Sequence, residues 1–134
     1  MATIERKPVL VELDEVTCWD LLETTSVGRL AWVDADGPVV VPVNFSVSRG
    51  TILVRTAAYS SMTREVDDSR VALEVDVLDA ADRTGWSVLV RGVARVLFEP
   101  ASTEAPTAWP TGTKSATVRI RPTRVTGRRL AHPR

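Results

Sequence analysis

Apolar and polar residues alternate along most of this chain, and helix-like spacing interrupts the alternation twice. From Val71 to Val77 every second residue is a large aliphatic one, with Ala72, Glu74 and Asp76 between them. That period of two marks a strand with one buried face. The same reading gives strands from Arg29 to Val33, Val39 to Val47 and Thr51 to Thr56. Asp34-Ala35-Asp36-Gly37 and Ser48-Arg49-Gly50 separate them, and their glycines supply the positive φ that tight hairpins need. The longest strand runs from Trp86 to Phe98, with Gly92 marking a bend or bulge. A sixth, Thr117 to Arg121, stops at Pro122, and Val125 to Leu130 adds at most a short final strand.

Between these strands the spacing changes. Asp14 is an N-cap for a helix ending near Thr24, with Val16, Trp19 and Leu22 on one apolar face beside Leu21. Ser60-Ser61-Met62-Thr63-Arg64-Glu65-Val66 reads as a short Ser-capped helix. Residues 1–12 read as an extended lead-in, and Pro100 to Ser115, with three prolines, as a long ordered loop or an irregular short helix. The expected fold is mainly β: a six-stranded antiparallel split β-barrel with an N-terminal helix and a short mid-chain helix. Residues 1–134 form a single domain with its core at about 13–130, and closure of the barrel removes exposed edge strands.

Composition narrows the function. Basic and acidic residues number 17 each, for a formal net charge of +0, against the basic excess of a nucleic-acid binder. Fifteen of the 17 basic residues are Arg and only Lys7 and Lys114 are Lys. Genome composition explains this bias as readily as phosphate binding does, although Arg is the better bidentate ligand. No stretch approaches the ~20 apolar residues of a membrane span, and Met1 to Lys7 lacks an apolar signal core, so a cytoplasmic protein is expected. The single cysteine, Cys18, falls inside the first helix as a small buried residue.

Elimination removes most catalytic devices. The one histidine, His132, stands near the C-terminus, which disfavours a Ser-His-Asp triad or a histidine metal site. There is no glycine-rich phosphate loop between a strand and a helix. Asp67-Asp68 and Glu74/Asp76 read as solvated surface pairs, and no acid or base stands out. Two segments carry more. Arg55-Thr56 ends a strand and leads through small residues to Ser60, Ser61 and Met62, a corner with a guanidinium, hydroxyls and backbone N–H groups suited to a phosphate. Trp86-Ser87-Val88 opens the long strand, where an indole packs in the core or walls a flat ligand.

Taken with Val27-Gly28-Arg29-Leu30-Ala31 and Pro42-Val43-Asn44-Phe45, these segments resemble the pyridoxamine 5′-phosphate oxidase-like family of flavin-binding split β-barrels, in its small actinobacterial form. The likeness extends from about Leu13 to Leu130, and Thr126-Gly127-Arg128-Arg129-Leu130 matches the ending of many small members. The resemblance implies a homodimer with FMN in clefts between subunits. Pro42, Val43 and Asn44 would lie along the flavin ring. Arg55, Thr56, Ser60 and Ser61, at the turn that continues into Met62, would hold the phosphate. Trp86, Ser87 and Val88 would flank the cofactor from the partner.

The family commonly has a basic residue where this chain has Ser60-Ser61-Met62; Arg55 or Arg64 would compensate. The residues with which the vitamin-processing oxidase itself holds its substrate near the C-terminus are not supplied, so that reaction is not expected. Three functions stay open: an FMN-dependent oxidoreductase of unknown substrate, a reductase using the deazaflavin coenzyme F420, and a non-catalytic module that stores or senses a cofactor or haem.

Overall fold

A computed structural model describes residues 7–57, 60–98 and 116–133. Seven strands and two helices follow one another as β1 (Val9–Leu13), α1 (Glu15–Leu22), β2 (Val27–Asp34), β3 (Gly37–Ser48), β4 (Thr51–Thr56), α2 (Ser61–Val66), β5 (Ser69–Asp79), β6 (Thr84–Leu97) and β7 (Ala116–Ala131). All pairings are antiparallel, in the order β1-β7-β4-β3-β2-β5-β6, and β6 pairs back onto β7. Six strands therefore close the ring, as expected for a split barrel, and β1 is a seventh attached outside it.

That seventh strand corrects the extended lead-in. Val9 to Leu13 pair with Ala131 to Gly127. Because Val9, Leu10 and Val11 are each about half exposed (49%, 56% and 50%), no buried face imposes a period of two on them. The last two predicted strands are in fact one, β7, which continues through Pro122. Proline is tolerated there because the ladder is already irregular. Arg91 pairs with Arg124 but Gly92 pairs with Pro122, so Thr123 is the extra residue of a bulge, and its Oγ1 donates to the Arg91 carbonyl at 3.2 Å. The bend expected at Gly92 is this bulge. The predicted loop from Pro100 to Ser115 lies almost wholly outside the described residues.

Both hairpins have the local chemistry that predicted them. Asp34 Oδ1 accepts from the Asp36 N–H at 2.8 Å, and Arg49 and Gly50 both have positive φ, 49° and 76°, the conformation of a type I′ turn. Helix α1 is capped by Asp14, whose Oδ1 accepts from the Thr17 N–H at 2.8 Å. Its buried face differs from the expected one. Cys18 and Leu22 point inward with Trp19 and Leu21 partly covered, whereas Val16 is 72% exposed. The spacing was right and the phase was wrong, because the helix docks where β7 offers Gly127. A Cβ at Gly127 would stand 2.6 Å from Cys18 Sγ.

Inside the ring, Phe45, Leu30, Ile52, Leu73 and Ile120 are almost fully buried. Gly92 is also buried, and a Cβ there would run into the Arg121 carbonyl oxygen and stand 2.8 Å from Ile120 Cγ2. Backbone on both sides leaves little room to relax. Gly92→Ala is therefore expected to destabilise the fold by about 1–3 kcal/mol, read as a lowered urea midpoint; an unchanged midpoint would show that β7 shifts freely at the bulge.

Candidate functional site

The ring is held unevenly. β3 pairs with β2 from Gly37 to Asn44 but with β4 only from Phe45 to Ser48. Past the rung that joins Phe45 to Val54, β4 turns away and pairs Arg55 and Thr56 with Thr117 and Ala116 of β7. The barrel is split at this point. The Phe45 N–H donates to the Ser26 carbonyl at 3.0 Å, so odd-numbered residues of β3 direct their backbone groups toward β2. Pro38 and Pro42 fall on the opposite, vacated side, where a missing N–H leaves no gap in the ladder. Two prolines four residues apart in a strand were a signal of this edge that the periodicity alone did not reveal.

The Thr56–Ser60 corner stands at the mouth of the split. Thr56 is buried, and its Oγ1 lies 3.1 Å from Ser60 Oγ. Ser60 caps α2: its Oγ accepts from the Thr63 N–H at 3.2 Å, and its carbonyl accepts from Thr63 Oγ1 at 2.8 Å. With Thr56 donating to Ser60, the Ser60 proton is left to a ligand oxygen. Arg55 is half-buried and Ser61 is exposed, but Met62 is buried in the core with Val66. Helix α2 is fixed at its far end, where Trp32 Nε1 donates to Glu65 Oε2 at 2.6 Å and Asp67 Oδ1 accepts from the Val96 N–H at 2.9 Å. Asp67 is thus a structural cap for β6 rather than half of a solvated pair.

The third predicted segment lies elsewhere. Trp86 and Val88 are 9% and 1% exposed and point into the barrel, while Ser87 faces outward. In sheet order β2 and β5 separate β6 from β3, so Ser87 and Pro42 share the outer face about 14 Å apart, three strand spacings. Between them stands a cluster that sequence reading dismissed. Pro42 pairs with Arg29, Arg29 with Glu74, and Glu74 with Leu89, while Asp76 pairs with Ser87. Arg29 Nη1 lies 3.5 Å from Glu74 Oε1 and 3.4 Å from Asp76 Oδ2.

Glu74 Oε1 is buried and accepts no hydrogen bond. Burial first, then the hydrogen bond and charge of Asp76, push the Glu74 carboxyl up to about 7 against the pull of Arg29. Cys18 is no nucleophile: burial, with Asp14 and Glu15 nearby, raises its thiol above the usual value. His132 Nε2 lies 3.0 Å from both the Asp82 carbonyl and Asp82 Oδ1, which ties the tail to the β5–β6 loop. Among the described residues no group of three or more His, Cys, Asp or Glu is arranged to hold a metal ion, and no helix is long and apolar enough to cross a membrane.

The sequence model of the pyridoxamine 5′-phosphate oxidase family matches residues 14–129. The chain belongs to that family. Among its relatives is the uncharacterized protein Rv0080 of Mycobacterium tuberculosis, 36% identical over 96 residues that make up 68% of this chain. The match spans 63% of that relative's length. Among solved structures, the FAD binding protein of Mycobacterium smegmatis is 33% identical with a TM-score of 0.72, covering 90% of this chain and 98% of its own. DIP1874 of Corynebacterium diphtheriae, a protein of unknown function, is 29% identical with a TM-score of 0.73, covering 92% and 98%.

The Glu74 assignment has a signed consequence. A carboxyl raised from 4.5 to about 7 on folding binds its proton more tightly in the folded state, so it stabilises at low pH. That contribution falls away as pH rises from about 4.5 to 7 and is gone above it. The urea midpoint of the wild type should drop between pH 5 and pH 8 by more than that of Glu74→Gln; equal drops would contradict the shift.

Proposed function

We propose that this protein is a flavin-dependent oxidoreductase that works as a homodimer in the cytoplasm, with one cofactor in each cleft between subunits. The observation that carries the reading is the 33% identity to an FAD binding protein over 90% of the chain. The split between β3 and β4 adds physical support, because it offers a strand edge for a planar ring beside a hydroxyl-lined corner. FMN and FAD share a ribityl phosphate, and the corner suits that shared group.

Thr56, Ser60 and Ser61 would hold the phosphate oxygens by hydroxyl hydrogen bonds, and Arg55 would supply the charge-assisted one. The absence of a basic residue at positions 60–62 leaves Arg55, with Arg64 one turn along α2, as the cations of this corner. Pro42 to Asn44 would lie along the ring edge. Ser87 would reach the cofactor from the partner subunit, and the buried Trp86 and Val88 would hold Ser87 in place. When bound, the flavin supplies hydride or electron transfer, and the protein's part is to orient it and exclude water. Glu74, poised near neutral pH on the same outer face as Pro42 and Ser87, can hold or release a proton there.

Apo-protein titrated in turn with FMN, FAD and coenzyme F420 tests this reading. One of the two flavins should bind more tightly than F420, and Arg55→Ala should weaken it at least tenfold, the equivalent of about 1.4 kcal/mol. If no flavin binds, or if Arg55→Ala binds as the wild type does, the phosphate is not at this corner. Preference for F420 would point to the deazaflavin reductase instead.

A further inference from the structure

The barrel has a second place where its strands part. β2 and β5 share only three rungs, from Arg29 with Glu74 to Ala31 with Ala72. Past Ala31 they separate, and a groove of about 580 Å³ opens between them on the outer face. Ala31 and Ala72 line it, so its floor is shallow-walled methyl groups where other rungs carry longer side chains. Val33 and Val93 line it as well, with Arg70 and Arg91. Val33 is 72% exposed, an unusual position for an aliphatic residue without a partner over it.

The two arginines give the groove its character. Arg70 pairs with Val93 and Ala72 with Arg91, which sets the two guanidiniums on diagonal positions of neighbouring strands, roughly 7–8 Å apart at the backbone. Both are exposed, and neither has an ion pair among the described residues. Two like charges beside an apolar floor repel one another until an anion sits between them. On the neighbouring rung Arg29 is held between Glu74 and Asp76, so an extended polyanion would meet carboxylates there. The charge pattern therefore selects a compact anion.

We propose that this groove is a binding site for a small planar aromatic anion, whose ring lies on Ala31 and Ala72 between Val33 and Val93 while its charged group meets Arg70 and Arg91. The volume falls within the roughly 300–1,000 Å³ of small-molecule sites. Guanidinium forks suit a planar carboxylate or sulfonate, which they bind in bidentate fashion. The site is distinct from the Thr56–Ser60 corner, and it stands or falls independently of the cofactor reading.

The test uses the full chain without added flavin, with 2-naphthoate as probe and calorimetry as readout. One 2-naphthoate should bind per chain, with 2-naphthol, which lacks the charge, at least tenfold weaker. Arg91→Gln should weaken the carboxylate at least tenfold. Ala72→Leu, which fills the floor and keeps both charges, should abolish binding while the far-ultraviolet circular dichroism stays unchanged. Should Ala72→Leu not fold, Arg70→Gln replaces it, again with a loss of at least tenfold. Failure of the wild type to bind, equal binding of 2-naphthol, or wild-type affinity in the arginine variants would overturn the proposal. So would sedimentation showing that Ala72→Leu turns a dimer into monomers, because the groove would then be covered by a second copy.

Discussion

The antiparallel ladder between β6 and β7 is the interaction on which the rest of the barrel hangs. It runs from Gly85 with Leu130 to Leu97 with Thr117, interrupted only by the bulge at Thr123. On its other side β7 serves β4 with its first residues and β1 with its last. One long strand thus closes the ring and also carries the extra edge. The bulge bends β7 so that both are possible, and Gly92 is the residue that lets the two backbones come close enough at that bend.

With closure secured there, the ladder is allowed to be short elsewhere. Four rungs join β3 to β4 and three join β2 to β5. Each short ladder ends in a parting of strands, and each parting presents different chemistry. The first opens beside the hydroxyls of Thr56 and Ser60. The second opens as an apolar floor beside Arg70 and Arg91. Between the two, on the outer face, Arg29 is shared by Glu74 and Asp76. A barrel that is strong along one seam can expose strand edges along others, and strand edges are where a planar ligand finds both backbone polar groups and flat apolar surface.

Much of the fold was legible in the sequence because its signals are local. The hairpins at Asp34–Gly37 and Ser48–Gly50, the Asp14 and Ser60 caps and the alternation of Val71, Leu73 and Val75 each act within a few residues. The Thr56–Ser60 corner was legible for the same reason, its two hydroxyls being four residues apart. What escaped depends on distant parts of the chain. β1 has no buried face of its own, so its pairing with β7 left no pattern. Pro122 suggested a strand end because the bulge that accommodates it is created by the pairing with Gly92. The Arg29–Asp76 contact joins residues 47 apart, and only the pairing of β2 with β5 shows that Glu74 and Asp76 are not an ordinary solvated pair.

The account's central claim is that the split between β3 and β4 is where this family member receives a flavin. A crystal structure of the protein grown with the tighter-binding flavin tests it most directly. The claim predicts the ribityl phosphate within hydrogen-bonding distance of Thr56 and Ser60, with the ring along Pro42 to Asn44 and Ser87 of a second chain near it. A phosphate bound away from Thr56 and Ser60, or a ring that touches neither β3 nor a second chain, would contradict it.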